Sequence, residues 1–449
     1  MKKTLVVVAL ILFCAPLTFA TLVTNMNQSA LYFRLLSRNA STDVDAVFYN
    51  PAGLTQLEDG FHFSLSNQTI FQTKTVVNGF PLLNSDTYDG KVNVPIFPDF
   101  YAVYKSGKLA FSLGFGPNGG GGTADFATGL PSFEWQFSAL PSLVSLMGAY
   151  TTQYSVDINF KGSSVFYGVQ ANLSYELADW LSAAVGARLI LAKNTYEGSI
   201  SNVMINPIWA LNPTGQMVNA STFFTQIGQP ILAAAVADKS VDAAQDGTGF
   251  TPILSLNFHP ADGLNIGLKY EFQTKLELTN ATTVDDVGLF PDGVKTHNDI
   301  PAILSFGAEY ALTPQFKATA SFNYFFDQDA DWDGREAFVD SNSWDLGLGA
   351  EYALTESIAL SAGFLHTQFS LLAGYNSDFS HEMSNNSVGF GGRLKLSQNL
   401  VLDLGGLVTF YDESSKSITY TFFGIPLGSW PEDYSRTTFA LAFGINYHI

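Results

Sequence analysis

The stretch that decides the fold is FALAFGINYHI, residues 439–449, at the end of the chain. Its odd positions carry Phe, Leu, Phe, Ile, Tyr and Ile, whereas its even positions carry Ala, Ala, Gly, Asn and His. Side chains of a β-strand alternate between two faces. One face of this strand is therefore large and apolar and the other is small or polar, which is typical of a barrel wall with lipid outside and a polar interior.

The same alternation recurs upstream, for example in LNIGLKYEF at residues 264–272. A repeat accompanies it: GAEYALT occupies residues 307–313 and again residues 349–355, and GGRLKLS follows at residues 391–397. The repeats start 42 residues apart, which is enough for two strands, a short turn and a longer loop. Each repeat is therefore interpreted as one barrel hairpin.

Counting such segments predicts an all-β fold, a 14-stranded antiparallel transmembrane β-barrel. Short turns are expected near residues 106–107, 178–179, 260–263, 313–315, 355–357 and 397–399. The predicted strands are residues 61–73, 96–105, 109–116, 163–177, 181–198, 250–259, 264–276, 300–312, 316–326, 341–354, 358–370, 384–396, 400–411 and 435–449.

Composition supports a membrane protein. The chain has 449 residues with a formal charge of −19, and only 14% of its residues are charged, although a soluble domain has about 25%. No run of 18 uninterrupted apolar residues follows residue 20, so a closed barrel remains as the way to span a bilayer. The excess of acidic residues also excludes a nucleic-acid partner, because neutralising phosphates needs clustered Lys and Arg.

Residues 1–20 are predicted to be a cleaved signal peptide. Lys2 and Lys3 precede an apolar run, and Thr18-Phe19-Ala20 forms a plausible cleavage site. Cys14, the single cysteine, lies inside this segment, so the mature chain should contain no thiol and no disulfide. Export to the outer membrane of a Gram-negative cell follows as an expectation.

Residues 21–60 do not alternate and are expected to be either a periplasmic extension or a hatch (plug) inside the lumen, followed by the barrel at residues 61–449. Two long apolar extracellular loops, residues 117–155 and 201–247, should contain short helices. Their apolar side chains are candidates for external capture of a hydrophobic ligand, but packing against each other over the barrel mouth is equally compatible with the pattern. The candidates are Phe133, Trp135, Phe137, Leu143, Met147, Phe223, Phe224 and Ile227.

One run resembles a known family. DAVFYNPAGL, residues 45–54, is similar to the Asn-Pro-Ala signature in the N-terminal hatch of the FadL family of outer-membrane transporters for long-chain fatty acids, which has aromatic-hydrocarbon relatives such as TodX. Residues 98–104, 109–117, 266–270 and 300–307 resemble further strands of that family, and fourteen strands also match it. The chain departs from the family in ending on Ile449 instead of Phe and in the glycine-rich run at residues 116–122.

The resemblance implies roles for two groups of residues. Asn50, Pro51, Ala52 and Gly53 would form a hatch gate that blocks the lumen and moves when ligand binds, although any tight turn can use these residue types. Phe115, Gly116, Pro117 and Asn118 would form an inward kink that opens a lateral window in the wall. From the residues alone, Pro and Gly weaken strand pairing, and Gly119–Gly122 are expected to be a flexible extracellular loop.

Alternation places a set of charged side chains inside the barrel. Most of them are expected to pair with one another and support the hatch. Arg188 and Lys269 lie further from the turns, and either is a candidate partner for a ligand carboxylate, because a buried unpaired charge is very costly. The full set is Arg188, Lys269, Glu271, Glu309, Lys317, Asp345, Glu351, Arg393, Lys395 and Asp403.

The sequence therefore predicts a transporter and not an enzyme, acting as a monomer in outer-membrane lipid and lipopolysaccharide. Its ligand would be a long-chain fatty acid or another hydrophobic small molecule, taken up passively. The alternatives are uptake of aromatic hydrocarbons, an acyl hydrolase built around His366 and Ser370, and an open porin. No cofactor and no metal are expected, because the six histidines lack metal-ligand spacing and the acidic run from Asp327 to Asp333 lacks the glycine and glutamate positions of a calcium loop.

Overall fold

A computed structural model of the chain describes residues 29–422 and 425–449. The predicted signal peptide, residues 1–20, lies outside the described residues. Strands are numbered along the chain as β1 (Gly60–Asn78), β2 (Thr87–Ser106), β3 (Leu109–Phe126), β4 (Tyr154–Ala178), β5 (Leu181–Ile205), β6 (Val218–Asn219), β7 (Lys239–Ala261), β8 (Leu264–Glu271), β9 (Glu277–Asp285), β10 (Lys295–His297), β11 (Ile303–Ala311), β12 (Phe316–Phe325), β13 (Val339–Ala353), β14 (Ile358–Leu371), β15 (Asn385–Lys395), β16 (Leu400–Tyr411), β17 (Ser414–Phe422) and β18 (Ile425–His448).

Fourteen of these strands form the wall of a closed antiparallel barrel, as predicted. The first and last strands close it, with β1 paired to β18 from His62 opposite His448 to Asn78 opposite Glu432. The remaining four strands, β6, β9, β10 and β17, lie in the longer connections between wall strands. They add to the sheet by pairing with a wall strand or with each other. In a closed sheet every wall strand has a neighbour on both sides, as a spanning sheet requires, although the ladder between β2 and β3 is interrupted over residues 93–99 of β2.

Six short connections join β2–β3, β4–β5, β7–β8, β11–β12, β13–β14 and β15–β16 at one end of the barrel, and these are the turns the sequence predicts. The alternation is confirmed as well. In β18 the side chains of Leu441 and Phe443 are exposed on the outer face, whereas Ala440 and Ala442 are buried on the inner face. Among the described residues no helix is long and apolar enough to cross a membrane.

The N-terminal segment before β1 lies inside the barrel. We use "hatch" for residues 29–57, which contain α1 (Ala30–Leu35), α2 (Ala46–Tyr49) and a 3₁₀ helix (Pro51–Gln56). Ser29 caps α1 by accepting a hydrogen bond from the amide of Tyr32. Nearly every hatch residue from 29 to 55 is buried, so of the two expectations the structure favours a plug in the lumen over a periplasmic extension.

The hatch backbone rests on a row of inward-facing glycines. A Cβ atom added to Gly347 would lie 2.1 Å from the carbonyl oxygen of Leu36, and one added to Gly363 would lie 2.1 Å from that of Leu35. We call the row the glycine belt; its members on six wall strands are Gly267, Gly307, Gly347, Gly349, Gly363, Gly389 and Gly405. Because only glycine allows so close an approach, the belt determines where the first half of the hatch lies.

The long loops contain helices, as expected. The first has α3 (Pro131–Ser138) and α4 (Leu140–Leu146), and the second has α5 (Ala220–Gln226) and α6 (Pro230–Ala235). The expected loop ranges 117–155 and 201–247 are too wide, because their ends continue the ladders of β3, β4, β5 and β7. The loops are therefore residues 127–153 and 206–238, and two further 3₁₀ helices span Asp327–Asp329 and Arg335–Phe338.

Replacing Gly347 by Ala tests the glycine belt. The added methyl group would meet backbone and not a flexible side chain, so we expect the free energy of unfolding in detergent to fall by about 1–3 kcal/mol. Gly121→Ala is the matched control, since a Cβ there has no atom within 4 Å. Stability would be measured by thermal unfolding, monitored by circular dichroism. Equal stabilities of the two variants would contradict the close contact between the hatch backbone and the glycine belt.

Candidate functional site

The predicted hatch gate sits at the bend between α2 and the 3₁₀ helix, where Pro51 is the first residue of that helix. The Asn50 amide donates to the carbonyl oxygen of Ser41 at 3.0 Å and to Oδ1 of Asn257 at 2.7 Å. The carbonyl oxygen of Pro51 accepts from Ser174 at 2.7 Å. Polar side chains of the wall therefore contact the predicted gate residues. The first half of the hatch, residues 33–40, instead contacts the glycine belt.

Gly53 has a local reason to be glycine. A Cβ atom at this position would lie 2.4 Å from the carbonyl oxygen of Ser41 and 2.5 Å from Nδ2 of Asn50. Ala52 is fully buried, and its amide donates to Ser255 at 3.3 Å. The Asn-Pro-Ala-Gly run thus forms a compact turn packed on β7.

Arg188 and Lys269 meet in the structure, because both contact the carboxylate of Glu271. The two nitrogens Nη1 and Nη2 of Arg188 lie 2.5 and 3.2 Å from the Glu271 carboxylate, and Nζ of Lys269 lies 2.5 Å from it. All three side chains are at most 5% exposed. Two cations share one carboxylate, so the cluster has one positive charge that is not balanced by Glu271.

Phe48 of the hatch connects this cluster to α2. Its ring lies 4.5 Å below the guanidinium of Arg188 and 5.0 Å from Nζ of Lys269, and its carbonyl oxygen accepts from Lys269 at 2.8 Å. Cation–π contacts of this kind are strongest when desolvated. A change in the charge balance of the cluster therefore acts directly on the second half of the hatch.

The wall has a gap beside the cluster. Strands β2 and β3 pair at residues 90–92 and again at residues 100–106, but not over residues 93–99. The facing part of β3 contains bulges at Pro117/Gly119 and Gly120/Gly122 in its pairing with β4. Of the predicted kink, Gly116, Pro117 and Asn118 lie in the interruption of the ladder, whereas Phe115 still pairs with Phe100 of β2. Gly119–Gly122 belong to β3 and pair with β4, so the expectation of a flexible loop there is wrong.

Asn118 joins the gap to the cation cluster. A Cβ atom on Gly168 would lie 2.8 Å from Cδ of Arg188 and 3.5 Å from Cβ of Asn118, so both side chains border the same glycine. Phe115, whose side chain is 39% exposed, stacks on Tyr167 at 5.3 Å on the outer side of the wall. The gap is therefore lined by aromatic rings outside and by polar groups inside.

The predicted capture residues lie mostly in a buried cluster between the two external loops. Of them, Met147 is 40% exposed, Phe133, Trp135 and Ile227 are half-buried, and Phe137, Leu143, Phe223 and Phe224 are buried. The helices thus pack on each other, the alternative that the sequence left open. Besides Met147, the exposed large apolar residues of these loops are Leu146, Tyr150, Ile208, Leu211, Met217 and Ile231.

Among the other inward charges, Glu309, Glu351, Arg393 and Asp403 pair with hatch residues as expected, whereas Asp345 contacts Asn323 of the wall and Lys395 is exposed. Arg34 pairs with Glu351 at 2.6 Å and with Asp403 at 3.1 Å. Arg38 pairs with Asp43 and Asp45 within the hatch at 2.6 and 2.7 Å. The hatch members of these pairs all lie within residues 34–45. The pairs therefore stabilise the first half of the hatch and do not involve the Arg188 cluster.

Two site residues were not predicted from the sequence as site residues: Glu271 and Phe48. Glu271 is two positions from Lys269 and shares its inner face, so the period of two could have identified the pair. Phe48 lies within the quoted Asn-Pro-Ala run, but its position over Arg188 depends on a contact between residues 140 positions apart, which no local pattern reveals.

The hydrolase candidates do not contact each other in the described part of the chain. Nδ1 of His366 lies 3.0 Å from Oδ1 of Asn386, whereas the hydroxyl of Ser370 donates to Asp340 at 3.1 Å. A nucleophilic serine needs its base within hydrogen-bond reach. This arrangement does not support acyl transfer.

His297 lies on β10, outside the barrel wall, and contacts two acidic residues that are distant in the sequence. Nδ1 of His297 on β10 lies 2.9 Å from Oδ1 of Asp333 and 3.8 Å from Oδ2 of Asp331, a proximity that sequence spacing did not reveal. The hydrogen bond to Asp333 raises the pKa of His297 above its usual value. His297 therefore keeps its proton to higher pH when the chain is folded.

The Asp333→Asn variant tests this pairing. Since the pKa of His297 is raised in the fold, the stabilisation from the pair is present below the ordinary histidine pKa of about 6.5 and is lost as the pH rises through the folded-state value. We expect the variant to lower the His297 pKa in an NMR titration. An unchanged pKa would show that the Asp333 contact does not control this proton.

Comparison with known proteins gives a fold. No family model and no curated protein matches the chain. A FadL homologue from Pseudomonas aeruginosa superimposes with a TM-score of 0.67 at 13% identity, over 95% of this chain and 99% of that one. The P. putida toluene transporter TodX gives 0.56 at 14% identity, over 91% and 95%. The Ralstonia pickettii toluene transporter TbuX gives 0.54 at 17% identity, over 90% and 94%. The chain therefore has the FadL and TodX type of barrel fold, as the resemblance in its sequence predicts.

Proposed function

We propose that the protein carries hydrophobic molecules, first of all long-chain fatty acids, across the outer membrane of a Gram-negative cell. The observation that carries the proposal is the buried cluster of Arg188, Lys269 and Glu271. Two cations with one shared carboxylate can accept one further anion, and a buried charge requires such a partner. A fatty acid supplies a carboxylate on an apolar chain.

The location of the cluster suggests how binding would open the route. Lys269 donates to the carbonyl oxygen of Phe48, so a ligand carboxylate at Nζ competes with this contact. Losing it would release α2 while the glycine belt keeps residues 33–40 in place. The ligand could then leave through the gap between β2 and β3 or towards the end with the short turns.

The surroundings of the barrel fit passive uptake. Leu146 and Ile231 on the external helices are 80% and 60% exposed and offer an apolar surface to a ligand outside. We propose that a single chain, surrounded by lipid and lipopolysaccharide, suffices, because the lumen, hatch and gap all belong to one barrel. A concentration gradient supplies the direction of transport.

Uptake of aromatic hydrocarbons is the second candidate. TodX and TbuX are described as toluene transporters, and this chain has aromatic rings next to the gap at Phe97, Phe115 and Tyr167. An aromatic hydrocarbon has no charge and does not need the Arg188 cluster. The two candidates therefore differ in their dependence on Lys269.

The Lys269→Met variant separates them. It removes the excess positive charge but leaves Arg188 paired with Glu271, so the buried carboxylate keeps its partner. Hydrogen bonds to charged groups contribute about 1.5–3 kcal/mol, so we expect oleate binding to weaken at least tenfold in calorimetry on the purified barrel. Toluene binding should not change.

Lys105→Met is the matched control, an inward lysine next to a short turn that pairs with the exposed Asp59 at 3.1 Å. It should bind oleate as the unaltered chain does. Oleate affinity that survives Lys269→Met would contradict the carboxylate site. Binding of toluene without oleate would select the hydrocarbon channel.

A further inference from the structure

On β2 and β3, the two strands that flank the wall gap, three buried polar side chains have polar atoms without a hydrogen-bond partner among residues 29–422 and 425–449. They are both carboxylate oxygens of Asp99, the hydroxyl of Tyr101 and Oδ1 of Asn118. Their side chains belong to residues that are 0%, 2% and 7% exposed. Buried polar groups nearly always find partners, so three such groups on the two strands that flank one gap indicate a site for a molecule that is not part of the chain.

The three residues flank the gap from both sides. Asp99 and Tyr101 belong to the inner face of β2 at the point where pairing with β3 resumes at residue 100, and Asn118 lies on the facing segment of β3. Tyr101 packs next to Gly114 and Val47, so the group also borders α2 of the hatch. A ligand moving from the Arg188 cluster to the gap would pass it.

We propose that Asp99, Tyr101 and Asn118 form a second polar subsite, which holds the hydroxyl group of an apolar ligand at the inner end of the gap; this rests on the proposed uptake of hydrophobic molecules. The subsite offers both acceptors and donors, since Nε2 of Gln68 on β1, opposite Phe97, is also buried without a partner among the described residues. Asp99 and Asn118 present carbonyl or carboxylate oxygens, and the Tyr101 hydroxyl can donate or accept. A ligand hydroxyl provides a donor for Asp99 or Asn118 and an acceptor for Tyr101.

The subsite has the opposite preference to the Arg188 cluster, because Asp99, Tyr101 and Asn118 include no cation. A ligand carboxylate would be buried there without a counter-charge, which is very costly. The apolar remainder of a hydroxylated ligand would meet Phe97, which is 2% exposed and contacts Tyr167 edge-on at 6.2 Å. The two sites together would let one barrel accept acids and alcohols or phenols.

The pair p-cresol and toluene tests the subsite, because the two molecules share a methylated ring and differ in one hydroxyl group. In calorimetry on the purified full-length barrel we expect p-cresol to bind about tenfold more tightly than toluene, the effect of a well-made hydrogen-bond set. Tyr101→Phe and Asp99→Leu should each reduce this ratio to within about twofold. Ser343→Ala, which removes another buried hydroxyl without a partner on β13, should keep it.

Heat-modifiable migration in gel electrophoresis identifies folded variants, and Tyr101→Phe removes only one oxygen atom. Equal affinities of the unaltered chain for p-cresol and toluene, or a ratio that persists in both variants, would overturn the subsite. If oleate still binds in that case, the proposed uptake function stands. Binding of none of the three ligands would overturn both proposals.

Discussion

The close approach of the hatch backbone to the inner wall is the contact on which the rest of the molecule depends. At Gly347, Gly363 and Gly389 the wall has no side chain, and carbonyl oxygens of the hatch occupy that space. A lumen lined by larger residues would have to keep the hatch further away and admit water. The barrel can therefore be both wide enough for fourteen strands and filled.

The two halves of the hatch are held by different forces. Residues 33–40 rest on glycines and are fixed by the ion pairs of Arg34 and Arg38, which are fully buried. The second half is held by hydrogen bonds from wall side chains and by the contacts of Phe48 with two cations. Hydrogen bonds and cation–π contacts can be exchanged for contacts with a ligand, whereas steric fit cannot. This difference locates the movable part of the hatch at α2, beside both the Arg188 cluster and the gap.

Much of this architecture could be predicted from the sequence, because a barrel strand has a period of two and FALAFGINYHI shows it within eleven residues. The strand count, the six short turns and the inward position of Arg188 and Lys269 all follow from local patterns. The repeat at residues 307 and 349 indicates only a hairpin, but its glycines also contact the hatch backbone. Contacts such as Phe48 with Arg188, or His297 with Asp333, join distant residues and leave no periodic signal. The lack of hydrogen-bond partners at Asp99 is visible only in three dimensions.

The most direct test of this account locks each half of the hatch to the wall by a disulfide. A Cβ atom at residue 114 lies 2.9 Å from Cγ1 of Val47, and one at residue 444 lies 3.0 Å from Cβ of Ala30, both close to disulfide spacing. Uptake of labelled oleate would be measured in Gram-negative cells that lack their own channel and express Val47→Cys with Gly114→Cys, or Ala30→Cys with Gly444→Cys. The account predicts that the first lock abolishes uptake until dithiothreitol is added, whereas the second leaves it intact. Normal uptake with α2 locked to β3 would contradict it.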